Sequence, residues 1–245
     1  MTQPNYRIGV IGIADGWSTQ QLLAAVEAKT GHARLIEMQD VALDLEGQRI
    51  HHRGFDLCEL DAIIVKKIAR DYSPDALDRV EVLKILAGRG VRVFSSPESM
   101  YALIDRLSGS IKLRLGGIPL PPTTITENLE EAVEAVQRYG AAVAKPLYTS
   151  KARGMNVYRA DDSELRPQLA AFAAQNPVMY LQKLVDIPGR DLGVVFLGGE
   201  YLATYARVKQ AGSWTSSTAA GGRYQAYEPP EELVALARRA QSLFE

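Results

Sequence analysis

The sequence predicts an α/β amino-terminal part built on a parallel sheet, followed by an α+β remainder. Three observations carry this. Strands alternate with helices over residues 1–97, a proline-stiffened stretch IPLPPTTIT follows, and beyond it the order changes to helix, strand, loop, strand and a long hairpin. Alternation of the first kind buries a sheet on both faces, so its strands read as continuous apolar runs.

Taken in order, YRIGVIGIA is a β-branched apolar run closed by Asp15-Gly16, and TQQLLAAVEAKTG has helical spacing and stops at Gly31. ARLIEMQD gives a second strand; a polar stretch around Gly47 and Gly54 separates it from LDAIIVKK, the third. SPDALDRVEVLKILAGRG places Ser73 as N-cap, Pro74 at the first helical position and Gly88 near the stop, and VRVFSS follows as a strand. Pro97 opens one long helical pattern, PESMYALIDRLSGSIKLRLGG, closing at Gly116-Gly117. The prolines of IPLPPTTIT then hold the chain extended. Beyond it come a helix (NLEEAVEAVQRYG), a strand (AAVAKPL), a loop (YTSKARGM), a strand (NVYRA), a helix (DSELRPQLAAFAAQ) and a strand (VMYLQKLV). GRDLGVVFLGGEYLATYARVK is a hairpin turning at Gly198-Gly199.

Length and composition narrow the function. At about 100–200 residues per domain, 245 residues make one large domain or two modest ones. A hydrophobic fraction of 47% with 23% charged residues excludes fibrous and disordered classes. A net charge of −1 argues against nonspecific nucleic-acid binding, which needs a basic excess to displace counterions. The short apolar run at the start is far below the ~20 residues of a membrane span. The single cysteine, Cys58, reads as a small core residue and fits a reducing, cytoplasmic setting. His32, His51 and His52 lack metal-ligand spacing and read as solvated surface residues. Gly9, Gly12 and Gly16 do not follow the G-x-G-x-x-G spacing and read as a tight strand-to-helix turn.

The loop after Lys145 is richer in chemistry. Thr149, Ser150, Lys151, Arg153 and Gly154 follow within nine residues, a hairpin tip suited either to a polyphosphate or to nothing more than a solvated basic loop. About thirty residues later, YLQKLVDIPGRDLGVVF could offer backbone groups to a purine edge and Asp191 to a ribose. Arg207 lies on the returning arm, before the polar loop SWTSSTAAGG.

In this order the segments IDRLSGSIKLRLGGIPLPPT, VAKPLYTSKARGMNV, YLQKLVDIPGRDL and LGGEYLATYARVKQAGSWTSSTAAGG resemble the ATP-grasp superfamily, in its branch of ribosomal protein S6 glutamate ligase and lysine-biosynthesis ligases. The resemblance implies an ATP-grasp fold with a parallel-sheet domain in front. It divides the chain into residues 1–97, a connector at 98–122, a central subdomain at 123–185 with a phosphate lid, and the start of a carboxy-terminal subdomain at 186–245. It places Arg106 where the family has a phosphate-reaching lysine, Lys145 near adenine and the α-phosphate, and Gln182, Lys183 and Leu184 on the adenine hinge. Asp191 falls on the ribose acid and Arg207 on the arginine that neutralises the γ-phosphate. Departures are arginine at 106, Lys183 where an acid is common, and a longer lid carrying Lys151 and Arg153. The family's magnesium ligands are expected beyond Glu245, which makes the chain roughly fifty residues short of a complete fold.

The implied activity is an ATP- and magnesium-dependent carboxylate–amine ligase working through an acyl phosphate. Its substrates would be a small-molecule, peptide or protein carboxylate and an amine, with no nucleic acid and no membrane, and a homo-oligomer is compatible with the resemblance. Two alternatives stand beside it: a non-catalytic nucleotide-binding module of the same fold, and a regulatory fragment that meets a partner protein through its amino-terminal domain.

Overall fold

The computed structural model describes residues 5–150 and 152–244, without the side chain of Ala219. Its contacts separate two units, Met1–Ile104 and Asp105–Glu245.

In the first unit, β1 (Ile8–Ile11), α1 (Trp17–Thr30), β2 (Ala33–Ile36), β3 (Val41–Asp44), β4 (Arg49–His52), β5 (Phe55–Asp56), β6 (Ala62–Val65), α2 (Asp75–Gly88), β7 (Arg92–Phe94) and α3 (Pro97–Ile104) follow in order. β2, β1, β6 and β7 form the expected all-parallel sheet. Its core holds Ile11, Ile36, Ile63, Val80, Leu83 and Leu86, each fully buried. The glycine cluster is a packing device: a Cβ at Gly12 would fall on Thr19, whose buried hydroxyl accepts the Ile13 N–H at 3.3 Å. The helix α2 begins at Asp75, one residue later than expected, with the Ser73 carbonyl accepting from Ala76.

Two expectations fail here. The polar stretch around Gly47 and Gly54 is a second, antiparallel sheet of β3, β4 and β5. Its first turn is held by the Asp44 carboxylate, which accepts the N–H groups of Glu46 and Gly47 at 3.1 Å each. The histidines are not a solvated set either. His52 is 4% exposed, its Nε2 accepts the Glu37 N–H, and burial holds its pKa below the usual 6.5. His32 and His51 are half-buried. Cys58 packs against the core as read.

The second unit runs α4 (Arg106–Leu115), β8 (Thr123–Thr126), α5 (Leu129–Tyr139), β9 (Ala141–Lys145), β10 (Asn156–Arg159), α6 (Leu165–Gln175), β11 (Met179–Lys183), β12 (Arg190–Leu197), β13 (Glu200–Val208), β14 (Arg223–Ala226) and α7 (Glu231–Ser242). The single long helix expected from Pro97 is broken at Asp105. That residue is extended, and its carboxylate accepts from Leu107 N at 3.0 Å and Ser108 N at 3.3 Å, so it N-caps α4 and places Arg106 at the first helical position. The end of the proline-rich stretch is a strand, β8, paired with β11.

Two antiparallel sheets result, ordered β10-β9-β11-β8 and β12-β13-β14. α5 starts at an Asn128 cap, buries Ala132, Ala135 and Val136, and packs with Leu169, Met179 and Leu181 on one face of the first sheet. Truncating the fully buried Leu181 to alanine would cost about 2–5 kcal/mol. The opposite face carries Lys145, Tyr180 and Gln182. Gly198 and Gly199, with φ of +58° and +82°, make the two-residue turn between β12 and β13. Among the described residues, no helix is long and apolar enough to cross a membrane.

Candidate functional site

The site grows from three segments of the second unit. The first is the end of β9. Lys145 and Gln182 lie on neighbouring strands, and Lys145 Nζ donates to Gln182 Oε1 at 2.6 Å while Gln182 Nε2 donates to Thr123 Oγ1 at 2.9 Å. Burial, and then the nearby Arg106 charge, push the Lys145 pKa down from 10.5 to about 8. Its ammonium therefore lacks a counter-charge, the condition in which an arriving anion gains most.

The second segment is the hinge after β11. Lys183 N donates to Pro122 O at 2.8 Å and Leu184 N to Ala141 O at 2.9 Å. Both N–H groups are taken within the protein, which narrows the backbone groups this segment could offer to a purine edge. Carbonyls, or groups further along the hinge, are left for that task.

The third segment is the face of the second sheet. Asp191 and Arg207 are directly opposite on β12 and β13. Arg207 grips the carboxylate with two nitrogens, Nε to Oδ1 at 3.2 Å and a terminal nitrogen to Oδ2, and the Ser216 hydroxyl donates to Oδ1. Burial alone would raise the Asp191 pKa, but the bonds from Arg207 and Ser216 outweigh it and hold it below the usual carboxylate range. Arg207 is shifted up by the same pairing.

These segments line one cavity of about 470 Å3, bordered by Lys145, Gln182, Lys183, Leu184, Asp191 and Arg207 together with Val185, Ile187, Trp214, Ser216 and Tyr224. That volume lies within the range of small-molecule sites, and its combination of apolar hinge side chains with cationic groups suits a ligand with a flat ring and a polyanionic tail.

The family of the prokaryotic glutathione synthetase ATP-grasp domain matches residues 115–243, more than half of the chain and all three segments. The chain belongs to the ATP-grasp family. The tetrahydromethanopterin:alpha-L-glutamate ligase of Methanosarcina acetivorans is 26% identical over 94% of this chain and 77% of that protein. The glutamate–LysW ligase ArgX of Sulfurisphaera tokodaii is 26% identical over 65% of this chain and 58% of its own length. The crystal structure of the RimK domain protein ATP-grasp from Sphaerobacter thermophilus DSM 20745 has a TM-score of 0.71 at 19% identity, over 97% of this chain and 81% of that one.

The remaining nominated residues of this ATP-grasp chain lie elsewhere. Arg106 is not turned to the cavity: its Nε and a terminal nitrogen donate to the carbonyls of Pro146 and Thr149 at 3.0 and 2.9 Å, tying α4 to the base of the lid loop. Thr149 and Gly154 border a separate cavity of about 630 Å3 under α6. Arg153 folds back on Ser150, its Nε donating to the Ser150 carbonyl at 3.3 Å. Lys151 lies outside the described residues. Sequence reasoning carried Ser216 only as part of the stretch 215–222, which resembles the family's loop near the phosphates and substrate, and did not nominate Tyr224. Ser216 sits in the hydroxyl-rich loop already noted, and Tyr224 is in RYQA, whose alternation after Gly221-Gly222 was the available signal for a third strand.

Magnesium does not fit the residues described. Among them no group of three or more His, Cys, Asp or Glu side chains could hold a metal ion, and the one carboxylate bordering the cavity, Asp191, is bound by Arg207 and Ser216.

Proposed function

We propose that this chain carries the nucleotide and phosphoryl-transfer site of an ATP-dependent carboxylate–amine ligase. The observation that carries the reading is the convergence of Lys145 and Arg207, from two different sheets, on one cavity that Leu184, Val185 and Ile187 of the hinge also border. ATP fits it with adenine at the hinge, Lys145 beside the inner phosphates and Arg207 at the γ-phosphate.

A substrate carboxylate oxygen attacks the γ-phosphorus as the bond to the β–γ bridging oxygen breaks, giving an acyl phosphate and ADP. An amine nitrogen then bonds to the carbonyl carbon, phosphate leaves, and the nitrogen loses a proton. No protein nucleophile is required. The chain's contribution is to hold the reactants in line and to place fixed positive charge where negative charge develops.

The pair takes two of the five N–H donors of Arg207, so on this reading Arg207 meets the phosphate with its remaining donors, and any opening of the pair frees Asp191 further for sugar hydroxyls. The relatives named above join glutamate to a pterin cofactor or to LysW, which supports an amino acid, peptide or carrier protein as substrate class.

Calorimetry with ATP, followed by carboxylate-dependent ADP release, tests the reading. ATP binding with carboxylate-stimulated ADP release supports it, and no ATP binding overturns it. Binding without any turnover would favour the non-catalytic module, a reading that Lys183 at the hinge speaks for.

A further inference from the structure

The face that carries Arg207 has a second feature, made of rings. Asp191, Arg207 and Tyr224 lie in one row across β12, β13 and β14. Two residues along, the next row is Gly193, Tyr205 and Ala226, so Tyr205 is flanked by two of the smallest residues. A Cβ at Gly193 would fall inside the Tyr205 ring, which therefore lies over that glycine. Tyr205 and Tyr224 meet edge to face, centroids 5.2 Å apart at 73°. Trp214, 41% exposed, and Tyr224, 65% exposed, border the same cavity as Arg207. Tyr224 also borders a further cavity of about 580 Å3, so a ligand crossing it has room beyond.

The hinge leads directly into β12, and β14 is the far edge strand of the sheet. On the ligase reading, a nucleotide lying from the hinge to Arg207 brings its γ-phosphate to the row that Tyr224 closes at the sheet edge. In-line transfer requires the carboxylate to approach the γ-phosphate from the side opposite the departing ADP, which is this side. Open aromatic faces recognise flat rings by stacking and edge contacts.

We propose that Trp214 and Tyr224, with Tyr205 holding Tyr224 in place, select a carboxylate substrate bearing an aromatic ring. The proposal rests on the ligase reading for its direction along the site, and names the substrate class within it.

The test pairs 3-phenylpropionate with hexanoate. In a Trp17→Phe background Trp214 is the one remaining tryptophan, so its fluorescence reports ligand directly, in the presence of ADP and without turnover. Quenching by 3-phenylpropionate at a Kd at least tenfold below that of hexanoate is expected. Tyr224→Ala should remove that preference, Tyr224→Phe should keep it, and the Kd for ATP should stay within twofold in both. With hydroxylamine as amine, the acyl phosphate is trapped as a hydroxamate and phosphate is released; the same tenfold preference should appear in kcat/KM. Equal or absent quenching by the two acids overturns the proposal, as does a Tyr224→Ala variant that loses ATP affinity instead, since the rings would then be stacking the purine. Loss of ATP binding or hydroxamate formation in the unaltered chain overturns the ligase reading, whatever the quenching shows.

Discussion

Replacing Arg207 by alanine separates the two things its guanidinium does. In the structure it makes a two-point bond to Asp191, with about a third of each side chain still exposed. Partly solvated pairs of this kind contribute at most about 1 kcal/mol to stability. In turnover it would face the charge developing on the transferred phosphoryl group, where removing one preorganised donor typically costs about 10²–10³ in rate, or roughly 3–4 kcal/mol. Arg207→Ala should thus melt close to the parent chain yet lose about 10²–10³-fold in kcat, with a smaller change in ATP affinity. A coupled assay of ADP release gives kcat and KM, and thermal unfolding gives stability. Asp191→Asn completes the comparison: it removes the carboxylate proposed to hold the ribose, so it should weaken ATP binding while sparing kcat far more than Arg207→Ala does. Turnover of Arg207→Ala within threefold of the parent would refute the assignment, and a loss confined to KM would reduce Arg207 to a ground-state contact.

The depressed pKa of Lys145, about 8, predicts a pH dependence. A bound phosphate raises it, so ATP binding takes up a proton above pH 8 and weakens as the pH climbs through that value; calorimetry in buffers of different ionisation enthalpy reads both, and a flat Kd from pH 6 to 10 contradicts it. Arg106→Gln removes two charged bonds to the loop, about 1–3 kcal/mol, and should speed amide exchange over residues 147–154 while moving the Lys145 pKa upward. For His52, whose folded pKa lies below its usual 6.5, the unfolded chain takes up a proton first on acidification. Stability should fall as pH drops through about 6.5, and His52→Gln should flatten the Tm against pH.

Where glycine or proline punctuates an apolar run, the elements were readable in advance: Gly31 ends α1 in a left-handed conformation, and Gly198-Gly199 turns the long hairpin. The second sheet of the first unit was not, because in β4 the buried position after Ile50 is taken by His52, where the alternation that marks a strand calls for an apolar residue. Asp105 looked like a polar position on a helix and is instead a cap, a distinction that depends on backbone angles rather than composition. Site legibility divides the same way. Lys145, Asp191 and Arg207 sit on strands and border one cavity. Ser150 and Arg153 sit on a loop whose groups bond to one another. Tyr224 became visible only through its register beside Arg207.

The closed pair of Asp191 and Arg207 has a bearing on selectivity. An arginine left bare in a cationic hollow attracts any small anion, and free phosphate or chloride would compete with nucleotide for it. Here the carboxylate takes two of the guanidinium's donors and offsets its charge, which lowers its pull on a simple anion. On the proposed nucleotide reading, ATP would enter with ring, sugar and phosphates together and supply hydroxyls to Asp191. The ion pair would then act as a filter, favouring ligands that satisfy both of its halves over those that satisfy one.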